Sequence, residues 1–274
     1  MNTEDERRFE FGANWTAFVE KHFDQERLDI SRRHLLDFVG KESLNGLSFL
    51  DIGCGSGLHS LAAWQAGART IHSFDYDPKS VEATRALHQF AKSPAAWTIS
   101  QGSVLDGAFM EGLSQADLVY SWGVLHHTGD VWNAIHQACG RVLPGGLLYI
   151  ALYSADVCID PPPAYWLDLK KRYVAASPWV RRWMELAYLW RFHLYRRPWL
   201  LRDVLRYAKE YKASRGMSFM TDVRDWLGGW PMEFCLDADV VNFVTRDSGM
   251  KLEKMVTGEA NTEFLFSRMP PARD

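Results

Sequence analysis

The residues with the most chemistry in them lie in one run, Phe49-Leu50-Asp51-Ile52-Gly53-Cys54-Gly55-Ser56-Gly57. Three glycines at alternate positions make a turn that a ligand can approach closely, because no Cβ stands in its way. The spacing is G-x-G-x-G; in the dinucleotide spacing G-x-G-x-x-G the third glycine would fall at Leu58. Asp51, just ahead of the turn, can accept a hydrogen bond from a ligand ammonium, directly or through water, whereas it would repel a pyrophosphate. A second carboxylate, Asp75, stands in Phe74-Asp75-Tyr76-Asp77. Its two oxygens suit the two hydroxyls of a ribose, and Tyr76 can lie against an adenine ring.

Imidazole is the side chain best suited to take a proton from an alcohol or phenol near neutral pH, and His126 and His127 stand together in Leu125-His126-His127-Thr128. They are the candidate catalytic residues. No S-x-x-K, H-E-x-x-H or C-x-x-C pattern occurs, and Cys54, Cys139, Cys158 and Cys235 are far apart. Hydrolytic nucleophiles, structural zinc and disulfides therefore find no support, and no metal site is expected.

These residues need a frame. Leu47 to Ile52, Thr70 to Phe74, Trp97 to Gln101, Leu118 to Ser121 and Leu147 to Leu152 read as strands, with helical stretches between them. Asp77-Pro78 reads as an N-cap and first helical residue, and Pro144-Gly145-Gly146 as the turn into strand five. Repeated β–α units of this kind predict a parallel sheet covered by helices on both faces. Pro161-Pro162-Pro163 breaks the alternation, which resumes with a helix capped at Asp237 and two short strands. The expected division is N-terminal helices over 1–44 covering the ligand site, a core of 45–156 and 232–274, and a helical aromatic and basic insertion over 157–231.

The chain of 274 residues is 47% apolar and 24% charged, with net charge −3. That balance suits a globular protein and gives no bulk attraction to nucleic acid. Residues 165–215 alone hold 13 Lys/Arg against 4 Asp/Glu, so the positive charge is concentrated in the insertion. No apolar run is long enough for a signal or a membrane span, so a cytoplasmic protein is expected.

Taken together, the motifs resemble those of the class I S-adenosylmethionine-dependent methyltransferases. "FLDIGCGSG" resembles the family's first motif, "FDYDP" its acidic ribose-binding motif and "QGSVLD" its adenine-contacting loop. "DLVYSWGVLHHTGD" and "VLPGGLLYIA" are similar to its strand-four motif and its turn into strand five. The resemblance covers residues 45–153 and, more weakly, 232–267. It implies a doubly wound, seven-stranded, mostly parallel α/β sheet with one antiparallel strand, and S-adenosyl-L-methionine as cofactor. Asp51, Gly53 and Gly55 would then contact its methionine end, Asp75 its ribose and Tyr76 its adenine. Gly102, Ser103 and Val104 would line the adenine, and the Ser121 carbonyl would receive the amino group. Many relatives have Asp where this chain has Ser103, which leaves the exocyclic amine to another group such as Asp106. Paired histidines also occur in many relatives without a base role.

The acceptor is expected to be a hydroxyl, or an amine, of a small-molecule or lipid-linked compound. Trp15, Asp225, Trp226, Trp230 and Glu233 are its candidate contacts. Within the insertion Trp166, Trp179, Trp183, Trp190 and Trp199 are expected to wall the acceptor side of the site, with plain packing or docking on an anionic membrane through 165–215 as the other readings. Two further classes stay open: a non-catalytic module that binds adenosylmethionine or a membrane, and a nicotinamide-dependent oxidoreductase, which the glycine spacing and Asp51 disfavour. Oligomeric state is not legible.

Overall fold

The structure, a computed structural model, describes residues 23–194, 219–258 and 260–270, together with Gly12, Trp15, Thr16 and Val19. Helix α1 (Gln25–Val39) starts where Asp24 accepts the Arg27 backbone N–H and ends at Gly40, whose φ of 66° lets the chain turn off. There follow β1 (Ser48–Ile52), α2 (Leu58–Gln65), β2 (Thr70–Asp75), α3 (Pro78–Phe90), β3 (Trp97–Gln101), α4 (Gly107–Gly112) and β4 (Ala116–Trp122). A 3₁₀ turn (Leu125–His127) leads to α5 (Val131–Gly140) and β5 (Val142–Tyr153). The insertion supplies α6 (Pro163–Ala175), α7 (Pro178–Tyr188), a π turn (Leu189–Leu194) and α8 (Phe219–Gly228). Helix α9 (Asp237–Asp247) and the hairpin of β6 (Met250–Thr257) and β7 (Asn261–Arg268) close the core.

The strands form one sheet in the order β3-β2-β1-β4-β5-β7-β6. Only β7 runs against its neighbours. The expected seven-stranded, doubly wound architecture is therefore the observed one. The order reverses between β1 and β4, which places a crevice at their carboxyl ends. Alternate strand residues serve opposite faces: Leu50, Val119 and Ile150 pack with α4, α5 and α9, while Phe49, Tyr120 and Tyr149 pack with α1, α2 and α3. The insertion keeps a small cluster of its own around Tyr173, Val223 and Leu227.

Four details differ from the sequence expectation. Strand β5 begins at Val142, ahead of Pro144-Gly145-Gly146, which forms a bulge between the pairs Ala116–Val142 and Leu118–Leu147. Helix α4 was not expected; Asp106 caps it by accepting the Phe109 N–H at 3.1 Å. The N-cap of α9 is Leu236, not Asp237, and the orphan Asp237 N–H donates instead to Asp156 Oδ2 at 2.8 Å. Finally, three of the expected wall tryptophans face outward, with Trp179, Trp183 and Trp190 exposed by 82%, 71% and 62%. Met184, Tyr188 and Leu189 take the inward face of that segment. Trp199 lies outside the described residues.

Candidate active site

Beyond β1 the chain turns through Gly53, Gly55 and Gly57 with φ of 74°, 53° and 80°, a region where a Cβ is strained. A Cβ at Gly53 would stand 2.3 Å from Val124 Cγ1, at Gly55 3.1 Å from Trp15 Nε1, and at Gly57 2.9 Å from Thr84 Cα. Protein presses on the loop from three sides, a reason for glycine there beside the close ligand approach expected from the sequence. Gly53 and Cys54 donate to the Phe74 carbonyl at 2.9 and 3.0 Å, which ties the loop to β2.

Two carboxylates sit under this loop. Asp51 is buried, 3% exposed. It accepts the Ser60 hydroxyl, which lies 2.6 Å from Ser73 Oγ; Ser73 in turn accepts Trp97 Nε1–H at 2.9 Å. Asp75 accepts the Gly55 N–H on one oxygen and the Asp77 N–H on the other, both at 2.9 Å. Burial pushes the pKa of Asp51 up to about 7 and that of Asp75 up to about 6. Among the described residues no cationic side chain offsets the Asp51 charge. A buried carboxylate so placed favours a ligand that brings its own positive charge.

Around Asp75, Tyr76 is exposed and Gly102 donates to the Asp75 carbonyl at 3.0 Å. Gly102 itself lies against the Phe109 ring, 2.2 Å from where a Cβ would be. Ser103 Oγ accepts the Leu105 N–H, Val104 is buried in the core, and Asp106 is engaged as the α4 cap. Ser121 Oγ donates to the Ile52 carbonyl at 3.0 Å, joining β4 to β1 just before the glycine loop. Over the same region the Gly12 N–H donates to Asp77 Oδ2 at 2.8 Å. Trp15 stands beside the glycine loop, its Nε1 3.1 Å from where a Gly55 Cβ would be.

The two histidines differ sharply. His126 is 1% exposed, its Nδ1 accepts the Tyr153 N–H at 3.4 Å, and its buried Nε2 has no hydrogen-bond partner among the described residues. Burial first, then the neighbouring His127 and Lys170, hold its pKa well below the usual imidazole value, so it is neutral. His127 is half-buried, and its Nδ1 lies 2.8 Å from the Pro231 carbonyl oxygen. A carbonyl only accepts, so Nδ1 carries the hydrogen and, in the neutral ring, Nε2 holds the lone pair.

The surroundings of this pair are aromatic. Tyr153 packs on His126 at 4.4 Å between centroids and meets Trp226 at 5.4 Å; Trp226 meets Trp166 at 5.0 Å. Lys170, itself buried, lies over the Trp226 ring at 4.4 Å, and Lys171 lies over Trp230 at 4.7 Å. Glu233 holds the histidine turn in place: its N–H donates to the His126 carbonyl at 2.8 Å, and its carboxylate accepts the Val131 N–H at the start of α5 at 3.0 Å. Asp225 belongs to α8, but its side chain lies outside the described part. Sequence reading missed Tyr153, Lys170 and Pro231; only Tyr153, at the carboxyl end of β5, left a positional signal. Among the described residues no cluster of metal-ligand side chains occurs.

Comparison with known proteins gives this arrangement its context. The methyltransferase domain family matches residues 21–248. The ubiquinone biosynthesis O-methyltransferase of Methylobacterium sp. (strain 4-46) is 32% identical over 120 residues, 44% of this chain and 46% of that protein. The ribosomal protein L11 methyltransferase of Laribacter hongkongensis is 31% identical over 136 residues, 47% of this chain and 44% of that protein. The chain thus spans less than half the length of these curated relatives. Among solved structures, an O-methyltransferase family protein from Burkholderia thailandensis superposes with a TM-score of 0.55 at 16% identity, covering 90% of this chain and 56% of its own, which supports the fold.

Proposed function

This chain belongs to the methyltransferase domain family, and we propose that it carries the methyl group of S-adenosylmethionine to a hydroxyl of a small-molecule or lipid-linked acceptor. When bound, that cofactor supplies a methyl carbon on a sulfonium, electrophilic enough to need no metal. Asp51 receives the ammonium of its methionine end, Gly53 and Gly55 line the approach, and Asp75 accepts the ribose hydroxyls on lone pairs that Gly55 and Asp77 leave available. Tyr76, Gly102, Ser103 and Val104 border the adenine, and Trp15 covers the loop. The unoffset burial of Asp51 is what fits these residues to a cationic cofactor.

The acceptor oxygen forms its bond to carbon as the carbon–sulfur bond breaks, and its proton must leave. His127 Nε2 is the base, oriented by the Nδ1–H bond to Pro231 at 2.8 Å. That bond is the observation carrying the assignment. His126, neutral and buried against Tyr153, is a positioning residue. The name of the Methylobacterium relative speaks for an oxygen acceptor, and the aromatic lining of Tyr153, Trp226 and Trp230 speaks for a small ring or lipid-like one over the protein acceptor named for the Laribacter relative.

His127→Gln is expected to lower turnover to adenosylhomocysteine by about 100-fold or more with phenolic acceptors. Cofactor affinity measured by calorimetry should stay the same, so that the loss falls on kcat. A His127→Gln protein with unchanged kcat would exclude the base role.

A further inference from the structure

Helix α7 has two apolar faces, and among the described residues only one has a partner inside the protein. On the inner face Met184, Tyr188 and Leu189 pack with Leu169, Tyr173 and Val223 of α6 and α8. Glu185 locks this seating: 4% exposed, it accepts Tyr173 O–H at 3.0 Å, Arg182 at 3.1 Å and Arg224 at 3.2 Å. With that face fixed, Trp179, Trp183, Leu186 and Trp190 are turned to solvent along one line, at spacings of four, three and four residues. Val180 beside them is exposed as well.

We infer that this stripe docks on an anionic phospholipid surface. Tryptophan combines an apolar ring with an N–H and settles at the level of the headgroups, and three on one line form an interfacial anchor. The charge around it is complementary. Arg182 flanks the stripe, and Arg191 continues it with the guanidinium near Tyr165. In sequence, seven more Lys/Arg follow between 196 and 215 against two Asp/Glu, on a protein whose net charge is −3. That concentration suits a negatively charged bilayer better than a second copy of this protein, whose matching stripe would carry the same positive charge. No described helix is long and apolar enough to cross a membrane, so the contact lies in the plane of the interface. The inner face of the same helix leads inward: Tyr188 and Phe192 touch Trp166, which touches Trp226. The helix that carries the docking surface is therefore joined to the histidine turn by a run of edge-on and tilted rings.

The test is flotation of the full chain with phosphatidylcholine vesicles, with and without phosphatidylglycerol, at low and high salt. Wild-type protein should float with the anionic vesicles and dissociate as salt rises. The triple variant Trp179→Ser, Trp183→Ser, Trp190→Ser should lose about tenfold or more in partitioning. Arg191→Glu, which leaves the stripe and the Glu185 contacts intact, should weaken binding only to the anionic vesicles. Unchanged adenosylhomocysteine affinity in the variants would confirm folding and separate this outcome from any failure of the catalytic reading. Failure of the wild type to float, equal flotation of the triple variant, or a dimer that the triple variant dissociates would each overturn the inference.

Discussion

Asp51 holds its proton up to about pH 7 because burial opposes its charge and the Ser60 hydroxyl only partly offsets that. The sign of the consequence follows. An unfolded Asp titrates near 3.9, so between about pH 4 and 7 the native state binds the extra proton and stability falls as pH rises. A cationic ligand needs the ionised form, so its affinity rises over the same range and levels off above about 7. Adenosylmethionine is expected to bind about tenfold more weakly at pH 6 than at pH 8, as calorimetry across that range would read. A flat profile would remove Asp51 from the ammonium. Asp51 and Asp75 were legible because each sits at a strand end beside a turn signal. The tie from His127 to Pro231 was not, because its partners are 104 residues apart and nothing local announces them.

Among the elements, the glycine loop was legible by position, but its protein neighbours were not. The periodicity around it predicts strand, turn and helix, but no pattern shows that Val124, Trp15 and Thr84 fill the space over the glycines. Gly57→Ala tests this. Its φ of 80° and the Thr84 Cα at 2.9 Å, which cannot rotate away as a side chain would, set the cost at about 1–3 kcal/mol in urea unfolding. A loss of only a few tenths would mean that α3 yields. Helix α4 escaped notice because six residues with glycine at both ends carry no period to read. The orientation of α7 escaped because both of its faces are apolar, and only the Glu185 contacts decide between them.

Across the chain, the sheet draws its stability from two large clusters on its faces, and the cofactor loop is anchored between them. Ligand held at that loop should therefore protect the entire core. At a hundredfold excess over Kd, adenosylhomocysteine contributes about 2.7 kcal/mol, which for a chain this long raises Tm by about 5–10 °C. Asp75→Ala should nearly abolish that shift at the same concentration, since two charge-assisted bonds are worth about 2–4 kcal/mol. An unchanged shift in a scanning calorimeter would mean that the ribose lies elsewhere. The alternation of strands and helices made this core legible throughout. The insertion is held differently. Among the described residues its own cluster has three buried apolar residues, each worth roughly 1.5–3 kcal/mol before the entropy of ordering is subtracted. So small a cluster should let the insertion open more readily than the sheet, which hydrogen exchange would read as faster exchange of the α6, α7 and α8 amides. Should acceptor and methylated product exchange through such openings while adenosylmethionine stays held at the glycine loop, the two ligands of one reaction would come and go on independent clocks.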